Sequence, residues 1–211
     1  LNTSEIFIDD IEISCSSDNS SIYTSGGIEL TKRPSINGIR IQNSTFRKTM
    51  SASKGYNKCN GTIFYHPDEV IHANDKLFIE ECKFIEVFGA IYYAPTRISN
   101  YDSQFIVKGC RFESCVQITI HITVPTSSEE RVHIVDCSFI DCKRKETNAP
   151  ILSVDAESDC IEFNLTGCHF LNCGVESNGY TGVGYVVFID INGQSAPKHP
   201  IFLEYNTIEF D

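Results

Sequence analysis

The sequence predicts an all-β chain wound as a right-handed parallel β-helix of about seven coils, with three short strands per coil. Three observations carry this expectation. The hexapeptides "CRFESC" (110–115), "CSFIDC" (137–142) and "CHFLNC" (168–173) are near copies of one another. A looser pattern recurs along the whole chain. The spacing inside that pattern has the wrong parity for one straight strand and the right parity for strands joined by bends.

The pattern places an apolar residue at offset 0 and another at +2. A cysteine or other small residue follows at +5 and a large apolar residue at +7. Ile39, Ile41, Ser44 and Phe46 fit it, as do Leu77, Ile79, Cys82 and Phe84. Phe105, Val107, Cys110 and Phe112 follow, then Val132, Ile134, Cys137 and Phe139, then Phe163, Leu165, Cys168 and Phe170. Weaker copies begin at Ile6 and Ile201. Successive starts lie 27 to 38 residues apart.

Offsets 0 and +2 share one face of a strand, and so do +5 and +7, but +2 to +5 is an odd step. A bend between them lets both pairs point into one core. The residues there suit a bend: Asp9-Asp10, Gln42-Asn43, Lys108-Gly109, Val135-Asp136 and Thr166-Gly167. A second odd step, from +7 to +10, implies a second bend at Glu113-Ser114, Ile140-Asp141 and Leu171-Asn172. A third apolar strand follows in "TIFYH" (62–66), "AIYYA" (90–94), "QITIHITV" (117–124), "ILSVDA" (151–156) and "YVVFIDI" (185–191). In the longest of these, Ile118, Ile120 and Ile122 are expected to point inward and His121 outward. A leucine-rich horseshoe fits poorly, because the seven leucines are scattered and the repeats mostly exceed 29 residues. A β-sandwich would not generate a periodic Cys-x-Phe.

Stacked coils turn each offset into a column. Cys82, Cys110, Cys137 and Cys168 form one inward column. Phe46, Phe84, Phe112, Phe139 and Phe170 form a second, and Cys115, Cys142 and Cys173 a third. Ser44 and Val87 fill cysteine slots, which favours small buried packing groups over chemistry. Zinc would want closely spaced pairs converging on one point. Neighbouring coils bring cysteines within disulfide range, but parallel side chains give an unfavourable bridge torsion. Free thiols are the favoured reading. Cys15, Cys59 and Cys160, outside the columns, are the better candidates for bridges.

The 211 residues, 41% apolar and 21% charged, suit a globular chain with a sizeable core. A net charge of −11 argues against nucleic acid or an anionic membrane as partner. No run approaches 18 apolar residues, so no membrane insertion is expected. The reading is one β-helix domain over residues 1–211, a fragment of a longer chain, its ends capped by a neighbouring domain or an oligomer partner. Ten cysteines and five N-x-[ST] sequons, at Asn2, Asn19, Asn43, Asn60 and Asn164, point to a secreted or cell-surface glycoprotein.

The run "CKFIEVFGAIYYAP" (82–95) resembles the rhythm of polymorphic outer-membrane-protein-like repeats. More loosely, the chain is similar to pectate-lyase-like β-helices. The first resemblance implies a surface protein linked to adhesion. The second implies a carbohydrate-active enzyme. "IDD" (8–10) stands alone, however, and no Gly-His-Gly segment accompanies it.

In a solenoid the strands are scaffold and the uneven connections carry function. The connections of variable length flank the third strand. Alternation there predicts an outward column of Tyr92, His121, Asp155 and Asp190 as a ligand-binding face. Two carboxylates on adjacent coils would suit a retaining glycosidase pair or a calcium site, against the plainer reading of a solvated polar face. No catalytic residue, cofactor or metal is assigned. The expected function is non-enzymatic adhesion or binding of a glycan or protein. The alternatives are a pectate-lyase-like enzyme and a structural spacer in a surface stalk.

Overall fold

The computed structural model describes residues 5–14, 24–25, 27–30, 38–50, 62–66, 76–95, 103–116, 118–125, 130–144, 150–157, 161–175, 186–192 and 200–210. They form a right-handed parallel β-helix of about seven coils. The first sheet stacks Glu5–Asp9, Gly38–Gln42, Lys76–Glu80, Ser103–Lys108, Glu130–Val135, Ile161–Thr166 and Ile201–Glu204. The second stacks Glu12–Ser14, Thr45–Arg47, Lys83–Ile85, Arg111–Glu113, Ser138–Ile140, His169–Leu171 and Thr207–Glu209. The third has six strands: Ile28–Leu30, Ile63–Tyr65, Ile91–Tyr93, Ile120–Val124, Leu152–Ala156 and Val187–Ile191. Counting from the amino end, coils 1 to 6 contribute one strand to each sheet, and coil 7 contributes to the first two.

The bends lie where parity requires them. At +4 of every coil a residue adopts a left-handed backbone: Asp10, Asn43, Glu81, Gly109, Asp136, Gly167 and Tyr205, with φ between 49° and 66°. At +9 the same holds for Lys48, Glu86, Ser114, Asp141 and Asn172, with φ between 51° and 53°. Such a conformation costs an ordinary L-residue about 1–2 kcal/mol. Each corner recovers a hydrogen bond that continues the ladder. The Glu81 amide donates to the Lys108 carbonyl at 2.9 Å, and the Ser114 amide to the Ile140 carbonyl at 2.9 Å. The backbone is therefore satisfied around the corner as well as along the strands.

Inside, the phenylalanine column is continuous. Phe46, Phe84, Phe112, Phe139 and Phe170 are fully buried, and successive rings stack with centroids 5.0, 5.0, 4.7 and 4.5 Å apart. Translation by one rung sets that spacing, which lies at the close end of the favourable aromatic range.

The seven described cysteines, Cys82, Cys110, Cys137, Cys168, Cys115, Cys142 and Cys173, are all buried and free. Each sulfur reaches the carbonyl two residues earlier and a carbonyl of the preceding coil. Cys110 Sγ, for example, lies 3.4 Å from Lys108 O and 3.4 Å from Ile79 O. Ser44 makes the same local bond, its Oγ donating to Gln42 O at 2.7 Å. Burial pushes the Cys110 and Cys142 thiols well up. The neighbouring Cys137 and then burial do the same for Cys168, as Cys142 and burial do for Cys173. These four thiols stay protonated in a dry core, whereas the Cys110 thiol pulls Cys82 down, and against the burial that would raise it Cys137 is pulled down by Cys110 and Cys168. In coil 7 the slot holds Asn206, whose Oδ1 accepts from the Cys168 amide at 2.9 Å and whose Nδ2 donates to Leu165 O at 2.8 Å.

Two details differ from the expectation. Ile118 is only half-buried, and Thr119 is buried in its stead. The chain bends at Thr119, so its carbonyl serves both the Ala90 and Ile91 amides and the inward alternation starts afresh at Ile120. The first coil also has a third-sheet strand, Ile28–Leu30, that the sequence did not signal. At the carboxyl end the inward residues Ile201, Leu203 and Ile208 remain exposed.

Candidate functional site

The outer face of the third sheet gathers side chains unlike those of an ordinary solvated surface. Phe64, Tyr92, His121, Ser153 and Phe188 follow one another in register on strands of coils 2 to 6. Phe64 and Tyr92 stack with centroids 5.0 Å apart, and Tyr92 meets His121 at 5.3 Å in a tilted arrangement. Although they project outward, Phe64 is only 1% exposed and Ser153 only 4%. The His121 side chain is 15% exposed. Phe188 is 37% exposed.

A second outer column runs beside the first. Thr123, Asp155 and Asp190 are in register on coils 4, 5 and 6. The expected single column of Tyr92, His121, Asp155 and Asp190 is therefore corrected: Tyr92 and His121 belong to one column, Asp155 and Asp190 to the next. Ser153, two residues before Asp155, takes the place beside His121. The columns are bridged on the diagonal. His121 Nε2 lies 3.1 Å from Asp155 Oδ2 and 3.2 Å from Thr123 Oγ1. Ser153 Oγ donates to Asp155 Oδ2 at 3.3 Å. The hydrogen bond from His121, with its charge and the Ser153 hydroxyl, holds the Asp155 carboxyl below its usual range.

Because Phe64 and Tyr92 stack face to face along the solenoid, the row turns the edge of Tyr92 outward, and the half-exposed Asp155 can accept hydrogen bonds beside it. The face offers Asp155 and Asp190 as adjacent carboxylates, with Asp155 committed to His121. Among the described residues, no three His, Cys, Asp or Glu side chains converge to hold a metal ion.

The other histidines of the first and second sheets also face a carboxylate one coil on. His133 Nε2 lies 3.3 Å from Glu162 Oε1, and His169 Nε2 lies 3.6 Å from Glu209 Oε2. Sequon residue Asn43 sits exposed at a corner and donates from Nδ2 to Asp9 Oδ1 at 3.0 Å. Asn164 projects from the first sheet, where its Oδ1 accepts from the Thr166 hydroxyl. Asn2, Asn19 and Asn60, with Cys15, Cys59 and Cys160, lie outside the described residues. Sequence reasoning missed Phe64, Ser153 and Phe188 as members of the face. Each occupies an outward position of a third-sheet strand, and alternation from the buried Ile63 and Val154 and the half-buried Ile189 could have found them.

Among the described residues no helix is long and apolar enough to cross a membrane. No known protein family, curated protein or solved structure matches the chain.

Proposed function

We propose that the chain is a non-enzymatic, extracellular or cell-surface β-helix that binds a glycan or protein segment on the outer face of the third sheet. The observation that carries the reading is the stacked row of Phe64, Tyr92 and His121, beside the half-exposed Asp155 carboxylate that His121 orients, with Phe188 on the outer face beyond Ser153. Aromatic side chains with a few fixed polar groups are the usual make-up of a ligand site. The adjacent carboxylates of Asp155 and Asp190 suit a neutral, polar ligand better than a strongly anionic one. The resemblance of "CKFIEVFGAIYYAP" to surface-protein repeats, together with the five sequons, supports the location.

The test is a glycan and protein-ligand array on the full chain, followed by titration of each hit against Tyr92→Ala and Phe188→Ala. Loss of binding by tenfold or more in both variants, with unchanged far-UV circular dichroism, is the expected result. Hits that bind both variants as well as the parent would refute this location. Release of reducing ends or unsaturated products from a bound polysaccharide would make the protein an enzyme instead.

A further inference from the structure

In the middle coils, the outer face of the first sheet carries a charge opposite to that of the chain. Three columns run along it on coils 3 to 5. Lys76, Gln104 and Arg131 are in register in one, Phe78, Ile106 and His133 in the next, and Glu80, Lys108 and Val135 in the third. On coil 2 the middle column holds Arg40. Among the described outward residues of coils 2 to 5, the cations Arg40, Lys76, Lys108 and Arg131 therefore stand against the one carboxylate of Glu80. The chain as a whole has a net charge of −11. Acidic residues flank this stretch on both sides: Asp9 on coil 1, and Glu162 and Glu204 on coils 6 and 7.

Pairings within the face decide which charges remain available. Arg40 bonds Glu80, and its guanidinium carbon lies over the Phe78 ring, 4.4 Å from the centroid. Arg131 is engaged with Glu162 at 3.5 Å. Among the described residues no carboxylate takes up Lys76 or Lys108. Between these two ammonium groups lie the half-buried side chains of Phe78 and Ile106. The two lysines are one rung and four residues apart, about 14 Å by strand and rung spacing.

We infer that this face docks a short acidic peptide segment of a partner protein, extended across Lys76, Ile106 and Lys108. Alternate side chains of an extended segment point the same way, and residues i and i+4 lie about 13 Å apart. An acid-x-aliphatic-x-acid sequence therefore sets its two carboxylates at the lysines and its aliphatic side chain over Ile106. The chemistry of the face favours a peptide over a sugar. Sugar rings stack on open aromatic faces, whereas the Phe78 ring carries the Arg40 guanidinium and Ile106 offers no ring. The flanking carboxylates repel a long polyanion that overruns coils 2 to 5, a span of about 14 Å, but spare a five-residue segment within it. This surface is separate from the third-sheet face of Tyr92 and Asp155, and it stands or falls independently of that face.

Random dodecapeptides displayed on phage are selected on the intact chain, and the enriched peptides are synthesised and titrated by fluorescence anisotropy. A heparin-like sulfated polysaccharide is titrated in parallel. Enrichment of the acid-x-aliphatic-x-acid pattern is the expected result. Affinity should fall by about tenfold or more in the double variant Lys76→Glu, Lys108→Glu, with unchanged far-UV circular dichroism. It should also weaken about fivefold between roughly 50 and 300 mM salt. Ile106→Asp should cost a similar factor, and if that variant folds poorly the exposed lysines alone decide the matter. No enrichment, or a pool without an excess of Asp and Glu, would overturn the inference. So would peptides that bind the double variant as well as the parent, or that lose binding in Tyr92→Ala instead, which would seat them on the third sheet. Capture of the polysaccharide at the lysines, with no peptide held there, would replace the peptide by a sulfated sugar.

Discussion

A buried phenylalanine in this molecule is held by the rings above and below it as much as by its own coil. Phe112 lies between Phe84 and Phe139. Phe112→Ala removes both stacks and leaves a cavity, and should lower stability by about 3–5 kcal/mol in chemical denaturation. The cysteine slots are less demanding in chemistry than in size. Ser44 occupies one of them with the same local bond that Cys110 makes. Cys110→Ser should therefore be milder than Cys110→Leu, which must overpack a corner at a cost of about 1–3 kcal/mol. At Asp155 the sign of the pH effect is fixed by its lowered carboxyl pKa. Its contribution is present above about pH 4, the unfolded carboxyl value, and fades as pH falls further. Asp155→Asn should flatten the acid limb of a melting-temperature profile, measured from pH 5 to 2.5, without moving the neutral plateau by more than the lost pair.

Corners, more than strands, decide whether a coil closes. Gly167 has φ +66°, and a Cβ there would come within 2.4 Å of Asp136 Oδ1. Gly167→Ala should cost about 1–2 kcal/mol. The converse change, Ser114→Gly at φ 51°, relieves a left-handed residue and should be neutral or slightly stabilising in the same melting assay. The corners were also the most legible part of the sequence. Two odd steps in an otherwise even pattern located both bends, and with them the cysteine and phenylalanine columns. The third sheet was read less well for a physical reason. Its strands are joined to the corner by stretches of unequal length, so no fixed offset from a cysteine gives their register. Alternation alone could place His121 and Asp155 outward but could not show that Ser153, not Asp155, is the neighbour of His121. Thr119 eluded the same reasoning because a bend interrupts the alternation just before Ile120. Ile28–Leu30 eluded it because three residues carry too little periodicity to be noticed.

For the whole molecule, each coil is stabilised by its two neighbours, so stability is close to one-dimensional along the stack. Leu203 is 56% exposed where its equivalent Leu165 is buried. Amides of 201–210 should therefore exchange fastest among the described strands at neutral pH, and a mass-resolved exchange series would rank the coils directly. A cavity in the middle of the stack, as in Phe139→Ala, should uncouple the two halves and broaden a thermal transition that is otherwise steep.

The corner amides that carry the ladder around each bend have a mechanical consequence. Among the described residues, the interstrand hydrogen bonds of the three large sheets and of both corners run along the solenoid axis. Tension that peels the chain from an edge of the stack concentrates on the rungs of the edge coil, so these open before those behind them. The molecule should yield as a ratchet and not as a single brittle bond. Each detached coil of roughly 30 residues would release a length on the order of 100 Å, and a pulling trace should record the coils one by one.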